Sequence, residues 1–180
     1  MLMSADNSCL LVVDVQERLL THINGWQGLL ENILWLVRLA RKLGVPSVAT
    51  EQYPRGLGHT VDVLVAELPE SSAVDKVHFS CVAAGCLAGL AATERQQMVV
   101  CGIESHVCVM QTALDLRTQG KDVFVVANAV GSRDPESKAL ALARMRSEGI
   151  VIVDREMVAF EWLRKAGTPT FKEVSKEFLR

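Results

Sequence analysis

Short apolar runs alternate with longer stretches of helical spacing along the chain, and this alternation constrains the fold more than any other feature of the sequence. The runs are rich in β-branched residues and apolar at consecutive positions, as is typical of strands buried on both faces of a sheet. We therefore predict a parallel sheet with right-handed crossovers, which gives a single doubly wound, Rossmann-like α/β domain over residues 1–180 with helices on both faces. The predicted strands are Leu10–Val13, Pro46–Thr50, Ala73–Val77, Gln97–Cys101, Asp122–Ala127 and Ile150–Val153.

Two helices have clear boundaries in the sequence. Residues 29–43 carry a wide apolar stripe at helical spacing, and Gly44 follows as a terminating residue. A second helix is predicted at 135–148, because Asp134 before it is a good N-cap residue. The segment after Gly167 is predicted to form a short amphipathic helix that packs either on the domain or on a neighbouring subunit.

Composition and charge exclude several classes of protein. The formal net charge is −2 and no run of Lys or Arg stands out, so we predict no nucleic-acid partner. The longest apolar runs, Cys9–Val13 and Val123–Val130, are far shorter than a membrane span, and the N-terminus lacks the features of a secretory signal. We therefore predict a cytoplasmic protein without a membrane partner.

The sequence also lacks the usual patterns for cofactors and metals. No glycine-rich turn follows the first predicted strand and no Walker-type phosphate loop occurs, so we predict no cofactor. The five cysteines include no CxxC pair, which argues against a disulfide framework and against a zinc ribbon. His59 and Asp62 have helical spacing but no further ligands nearby in the sequence, and we predict no metal.

Ligands of doubly wound sheets bind beyond the carboxyl ends of the strands, so polar residues at these positions are the candidates for chemistry. Asp14 either takes part in such a site or caps the following helix. Lys76 either faces Asp14 or extends its ammonium group into water. The segments at or just after the ends of the first five predicted strands are Asp14, Glu51–Tyr53, Lys76–Phe79, Glu104–Cys108 and Asn128–Arg133.

Cys108 lies where a predicted strand gives way to a helix. With Ser105 as the N-cap, Cys108 falls in the first helical turn, where unpaired amides and the helix macrodipole stabilise negative charge. We therefore predict a lowered pKa for its thiol, which a neighbouring lysine lowers further. The alternative is a small buried core residue, as is common for cysteine. His106, two residues away, does not face Cys108 on a helix and is not expected to form a dyad with it.

Three segments, taken together, resemble the isochorismatase-like hydrolase superfamily, a group of cysteine hydrolases that includes the nicotinamidases. They are LLVVDVQ with Asp14, DKVHFS with Lys76 and CGIESHVCVMQTALDL with Cys108. The segments EQYPRGLGHT and FEWLRKAGTPTFKEVSK are most similar to the isochorismatase domain-containing branch. The resemblance covers nearly the whole chain and implies a six-stranded parallel sheet in the order 3-2-1-4-5-6, with the first and fourth strands adjacent.

The resemblance also implies a mechanism. Asp14, Lys76 and Cys108 match a catalytic triad, and the Ile103–Glu104 peptide matches a cis bond. The amides of Glu104 and Cys108 then form an oxyanion hole. The implied activity is cleavage of a C–N bond in an amide, ureide or carbamoyl compound through a thioester, after Asp14 takes the thiol proton. The implied partners are a small-molecule substrate and further copies of the chain in a homo-oligomer.

The substrate pocket is the least determined part of the predicted site. Nicotinamidases carry an Asp-x-His pair with further histidines after the second strand, whereas this loop is TEQYPRGLGHT, with His59 as its one histidine, so metal-assisted binding of a pyridine is not expected. His78 shares a strand face with Lys76 and is placed at the mouth of the pocket. The predicted pocket residues are Gln16, Leu19, Tyr53, His78, Phe79 and His106.

Two other functions fit the sequence. One is a non-catalytic oligomer of the same fold that binds a small molecule or acts as a scaffold, which the apolar tail favours. The other is a thiol-redox protein that uses Cys108, with Cys81, Cys86 or Cys101 as a partner in space.

Overall fold

The computed structural model describes residues 1–70 and 72–179. Its centre is a parallel sheet of six strands in the order β3-β2-β1-β4-β5-β6, which confirms the predicted fold class and strand order. The strands are β1 (Ser8–Val13), β2 (Ser47–Gln52), β3 (Ala73–Lys76), β4 (Gln97–Ile103), β5 (Asp122–Gly131) and β6 (Val151–Val153).

Eight α-helices lie around the sheet within the described part of the chain. They are α1 (Glu17–Leu20), α2 (Trp26–Lys42), α3 (Pro54–Leu57), α4 (Asp62–Val65), α5 (Met110–Thr118), α6 (Pro135–Ser147), α7 (Arg155–Leu163) and α8 (Pro169–Phe178). Short 3₁₀ turns lie at Ala5–Asn7 and Ala91–Glu94, and a π-helical turn at Ser105–Val109 leads into α5. None of these helices is long and apolar enough to cross a membrane.

The side chains of the central strands alternate between two hydrophobic layers. In β1, Leu10 and Val12 belong to one layer, whereas Cys9, Leu11 and Val13 belong to the other. Helices α2, α7 and α8 cover the first layer, and α5 and α6 cover the second. Because both faces are covered, the middle positions of β1 and β4 are apolar on both sides, and their burial is the main favourable contribution to folding.

Strand β2 extends further toward its carboxyl end than the sequence predicts. It ends at Gln52 rather than at Thr50, and its last residues pair with β3 as Glu51↔Asp75 and Gln52↔Lys76. Strands β4 and β5 are also longer than predicted at this end. The polar residues Glu51 and Gln52 continue β2 because backbone hydrogen bonds, which do not depend on side-chain hydrophobicity, hold them in the sheet. The extension brings Gln52 and Lys76 to the same edge.

Capping signals in the sequence predict the helix boundaries well. The Asp134 side chain accepts a hydrogen bond from the amide of Glu136 and begins α6, as expected. Gly44 has a φ of 70° and follows the end of α2. Helix α2 begins at Trp26, earlier than the predicted position 29, after Gly25 with a φ of 66°. The earlier start was missed because the apolar stripe does not extend through the first turn.

The C-terminal segment packs on the domain, which decides between its two predicted positions. Helix α8 begins after Thr168, whose hydroxyl accepts a hydrogen bond from the amide of Phe171. The Phe178 ring packs edge-to-face on Trp35 of α2, with ring centroids 5.6 Å apart. The indole N–H of Trp35 donates to the Phe178 carbonyl at 3.1 Å. The tail therefore completes the helical layer over α2.

The strand order places β1 and β4 side by side, and Gly102 allows their ends to approach closely. Gly102 pairs with Val13, the last residue of β1, and has a φ of 116°. A Cβ atom at this position would overlap the carbonyl oxygen of Val13. Only glycine combines this φ with so close a backbone contact. Gly102 therefore brings the residues that follow β1 and β4 to one place.

We expect Gly102→Ala to lower the free energy of unfolding by about 3 kcal/mol or more, because it adds both backbone strain and an overlap with Val13. The matched control is Gly28→Ala in α2, where a Cβ atom meets nothing within 4 Å. There the higher helix propensity of alanine stabilises by up to about 1 kcal/mol. Urea denaturation followed by circular dichroism measures both changes. Equal stability of Gly102→Ala and the wild type would contradict the steric argument.

Candidate active site

Asp14 directly follows β1 and is the buried anion of the site. Its φ is 52°, a conformation that is uncommon outside glycine, and its amide donates to the Thr50 carbonyl of β2 at 3.1 Å. The Thr50 hydroxyl donates to Asp14 Oδ1 at 2.7 Å, and Lys76 Nζ donates to Oδ2 at 2.8 Å. Both carboxylate oxygens therefore have protein partners. The side chain does not cap α1, for which Gln16 is the N-cap residue.

The Lys76 ammonium group is buried at the end of β3, so it does not extend into water. It donates to Asp14 Oδ2 at 2.8 Å, to Gln52 Oε1 at 2.6 Å and to the His78 carbonyl at 3.3 Å, which uses all three N–H groups. Burial is the largest single influence and lowers the pKa of Lys76, but the attraction of Asp14 and Cys108 and the hydrogen bond to Asp14 together outweigh it, and the pKa is raised. The lysine therefore stays charged at neutral pH.

Gln52, the last residue of β2, is a member of the site that the sequence did not single out. Its side-chain oxygen accepts from Lys76 and lies 4.0 Å from Cys108 Sγ. Its side-chain nitrogen donates to the Val77 carbonyl at 2.7 Å. The sequence predicts that the segment Glu51–Tyr53 follows a strand, but which of its residues faces Lys76 depends on the register of β2.

Cys108 lies in the π-helical turn Ser105–Val109, whose N-cap residue is Glu104, so the predicted N-cap at Ser105 is wrong. Ser105 is inside the turn, and its buried hydroxyl has no hydrogen-bond partner among the described residues. Cys108 itself is only 6% exposed and packs with the second hydrophobic layer. The two predicted alternatives, core residue and site residue, therefore both describe part of its environment.

The pKa of the Cys108 thiol is raised to about 12, so the predicted lowering is wrong. Burial is the main cause and the Asp14 carboxylate raises the pKa further, whereas the Lys76 ammonium group lowers it. Removing a thiolate from water costs more free energy than the helix terminus and Lys76 give back by stabilising its negative charge. The stabilisation by Lys76 is limited because Asp14 already balances the charge of that lysine. The resting thiol is neutral, and a carboxylate next to it is able to accept its proton.

The Ile103–Glu104 peptide bond is cis, as the resemblance implies. The Glu104 side chain contacts the loop after β5, where its Oε2 accepts from the Arg133 amide at 3.0 Å. Arg133 Nη2 lies 3.1 Å from Glu104 Oε1. Arg133 therefore balances the charge of the Glu104 carboxylate, just as Lys76 balances that of Asp14.

A cleft of about 520 Å³ opens over Lys76. Its lining includes Tyr53 and His78, two of the predicted pocket residues, together with the charged side chains of Arg55 and Asp75. Phe79, which follows His78 and is 51% exposed, is not among the residues that line the cleft. The cleft thus combines aromatic and charged groups and has the size of a small-molecule site.

The other three predicted pocket residues are not among those that line this cleft. Gln16 is fully buried and hydrogen-bonds with the backbone of Gln52. Leu19 packs against the first hydrophobic layer. His106 Nδ1 lies 2.9 Å from the Ser132 hydroxyl. Gln16 therefore reaches the site through Gln52, and Leu19 belongs with the core.

The loop between β2 and α4 is held by the buried Glu51 carboxylate. It accepts from the Thr60 amide at 2.7 Å and the Thr60 hydroxyl at 2.8 Å, and lies 2.9 Å from His59 Nδ1. Burial raises the pKa of Glu51, but these hydrogen bonds outweigh it and the pKa is lowered. Glu51 thereby fixes the loop that carries Tyr53 to the cleft. Across residues 1–70 and 72–179, no group of three or more His, Cys, Asp or Glu is placed to hold a metal ion.

The three predicted redox partners of Cys108 have different positions. Cys81 and Cys86 belong to the second hydrophobic layer with Cys108, whereas Cys101 lies in the layer on the opposite face of the sheet. Cys81 Sγ accepts from the Thr112 hydroxyl at 3.3 Å, and Cys86 Sγ lies 3.4 Å from the Cys81 carbonyl. All of these cysteines are free thiols. Cys101 is therefore excluded as a partner of Cys108.

The arrangement is suited to nucleophilic chemistry. A carboxylate beside a neutral thiol is able to take its proton, and the resulting thiolate is a strong nucleophile. The Lys76 ammonium group keeps Asp14 ionised before this transfer and lies beside the negative charge that forms on Cys108.

We expect the alkylation of Cys108 by iodoacetamide to have a midpoint well above the value of about pH 8.5 of an ordinary thiol. Asp14→Asn lowers this midpoint because it removes a negative charge that raises the pKa of Cys108, and Lys76→Met raises it because it removes a positive charge. Mass spectrometry of the Cys108 peptide after labelling at a series of pH values measures each midpoint.

The exposed residues Asp6 and Lys172 provide matched controls, Asp6→Asn and Lys172→Met, which leave the midpoint unchanged. Circular dichroism checks each fold, since breaking a buried ion pair costs about 3–5 kcal/mol. Shifts of the same sign in Asp14→Asn and Lys76→Met would contradict the assignment of charges around the thiol.

Comparison with known proteins identifies the family of the chain. A family model described as the isochorismatase domain matches residues 8–157. Isochorismatase domain-containing protein 2 of Danio rerio is 35% identical over 175 residues, which cover 97% of this chain and 88% of that protein.

Two solved structures extend the comparison. The MAR1 ribonuclease of Caenorhabditis elegans is 35% identical with a TM-score of 0.91, and the match covers 100% of this chain and 93% of that one. The YcaC gene product of Escherichia coli, described as an octameric hydrolase of unknown specificity, is 26% identical with a TM-score of 0.86, covering 92% of this chain and 83% of that one. The chain therefore belongs to the isochorismatase family of hydrolases.

Proposed function

We propose that the protein is a cysteine-dependent hydrolase that cleaves the C–N bond of a small amide, ureide or carbamoyl compound. The observation that carries the proposal is the convergence of the Cys108 thiol with the buried Asp14–Lys76 ion pair, whose lysine lines a cleft. A thiol needs a base to become a nucleophile, and the Asp14 carboxylate is in place to be that base.

In the first half of the reaction, Asp14 takes the Cys108 proton as the sulfur attacks the carbonyl carbon of the substrate. Asp14 then gives this proton to the nitrogen, the C–N bond breaks, and an amine or ammonia leaves. The acyl group remains on Cys108 as a thioester. The raised pKa of Cys108 fits this order of events, because the resting site holds a neutral thiol and a carboxylate.

In the second half, Asp14 removes a proton from a water molecule that attacks the thioester carbon. The C–S bond breaks, the acid product forms, and Asp14 returns the proton to the sulfur. Lys76 stays charged throughout and stabilises the anions on either side of each transfer. We further propose that the amides of Glu104 and Cys108 bind the oxyanion in both halves.

A ribonuclease is the second candidate, since the Caenorhabditis elegans relative at 35% identity is described as one. The net charge of −2 argues against it, because binding to phosphate groups is dominated by positive charge. A non-catalytic binding protein is the third candidate. The absence of a nucleic-acid partner, the absence of a cofactor and a cytoplasmic location stay predictions.

The decisive experiment is release of ammonia or amine from a panel of small amides, ureides and carbamoyl compounds, with a labelled RNA as an additional substrate. We expect Cys108→Ser to lower turnover of any amide hit by about 10³-fold or more, because it removes the nucleophile. Cys86→Ser, at a half-buried cysteine, is the matched control and retains turnover.

Intact mass spectrometry during turnover tests the intermediate. An acyl adduct on wild-type protein that is absent from Cys108→Ser supports the thioester. Undiminished amide cleavage by Cys108→Ser would rule out the proposed mechanism. RNA cleavage without any amide cleavage would favour the second candidate instead.

We also propose that the chain forms a homo-oligomer, in view of the octamer described for the Escherichia coli relative. Val77 and Phe79 beside the cleft are 70% and 51% exposed, and burial of such apolar groups favours association. Light scattering after size exclusion is expected to give a multiple of 19.7 kDa. A mass of one chain at micromolar concentration would contradict this proposal.

A further inference from the structure

The side-chain amide of Gln52 is fixed in one orientation by its neighbours. Its nitrogen donates to the Val77 carbonyl at 2.7 Å, and its oxygen accepts from Lys76 Nζ at 2.6 Å. A carbonyl only accepts and an ammonium group only donates, so the reverse orientation of the amide would lose both hydrogen bonds. The oxygen is therefore held toward the ion pair, and from there it lies 4.0 Å from Cys108 Sγ.

The backbone of Gln52 is fixed as well, by the side chain of Gln16. Gln16 Oε1 accepts from the Gln52 amide at 2.7 Å, and Gln16 Nε2 donates to the Gln52 carbonyl at 3.0 Å. Gln16 Nε2 also donates to the Gly58 carbonyl at 2.7 Å. Because Gln16 is fully buried, this brace holds the end of β2 against the turn that follows β1.

We propose that Gln52 is a positioning residue whose side-chain oxygen keeps the resting Cys108 thiol neutral and holds the Lys76 ammonium group in place, with Gln16 as its brace. The relevance of this role to catalysis rests on the proposed function, in which Cys108 is the nucleophile. Gln52 acts through Lys76 and Cys108.

The physical basis is the partial negative charge of the amide oxygen. This oxygen suits an S–H donor and opposes a thiolate, and it also draws one N–H group of Lys76 away from the sulfur. The other groups that face this region are the Asp14 carboxylate and Lys76, with the Cys81 thiol beside the lysine. The proton therefore has one favourable destination, which is Asp14.

We expect two substitutions at position 52 to shift the pH midpoint of Cys108 alkylation in opposite directions. Gln52→Met keeps the length of the side chain but removes its oxygen, so the pH midpoint of Cys108 alkylation falls by about 0.5–1 unit. Gln52→Glu keeps the shape and adds a negative charge, so the midpoint rises by about one unit or more. Loss of packing alone would not shift the midpoint in opposite directions.

The measurement is labelling with iodoacetamide over a pH series, read at the Cys108 peptide by mass spectrometry. The control is Gln111→Met, the same exchange at an exposed position of α5, and it leaves the midpoint unchanged. If Gln52→Met does not fold, Gln52→Asn retracts the amide by one methylene group and is expected to lower the midpoint as well. Midpoints that stay at the wild-type value, or move in the same direction in both variants, would overturn the proposal.

The alkylation assay needs no substrate, so its result is independent of the proposed function. Opposite shifts without any amide cleavage would support the role of Gln52 and count against the hydrolase. Cys108-dependent amide cleavage with unshifted midpoints would support the hydrolase and overturn the role of Gln52.

Discussion

The buried ion pair between Asp14 and Lys76 is the interaction on which the rest of the site depends. The two charges come from β1 and β3, and β2 lies between them and contributes Thr50 to Asp14 and Gln52 to Lys76. Removing a charge from water costs several kcal/mol, so such a pair persists only when its hydrogen bonds are complete. Thr50 and Gln52 share a face of β2, and a slip of one residue would turn both away. Strand order, register and ion pair therefore determine one another.

This pair also explains the state of the thiol. Burial is the main cause that raises the pKa of Cys108, to about 12; Asp14 raises it further and Lys76 opposes both. A cysteine next to a lysine is commonly expected to be a thiolate. Here the Lys76 ammonium group is instead paired with the Asp14 carboxylate, to which it donates a hydrogen bond at 2.8 Å. In the proposed mechanism, reactivity therefore depends on transfer of the proton to Asp14 rather than on a stored thiolate.

The sequence predicts the fold and the three converging residues because each lies at or just beyond the carboxyl end of a strand, or in the turn that follows it. The resemblance adds the strand order that brings those ends together. The sequence does not identify Gln52 as a site residue, because which of residues 51–53 faces Lys76 depends on the register of β2 against β3. The direction of the Cys108 pKa shift was wrong because the first-turn argument counts the helix terminus and the lysine but not the depth of burial. The predicted N-cap at Ser105 is wrong because the turn before α5 is π-helical and begins one residue earlier, after Glu104. No residue pattern in the sequence indicates a π-helical turn.

A neutral buried thiol also separates the functions that the sequence left open. Because burial raises the pKa of Cys108 to about 12, the resting side chain is the neutral thiol at pH 7. Oxidation by peroxides and disulfide exchange both proceed through the thiolate. The environment of Cys108 therefore disfavours a redox role. Acyl transfer is different, because the proton is able to move to Asp14 as the carbon–sulfur bond forms, and the negative charge then develops on the carbonyl oxygen rather than on sulfur. In the proposed reaction, the substrate itself therefore completes the activation of the nucleophile.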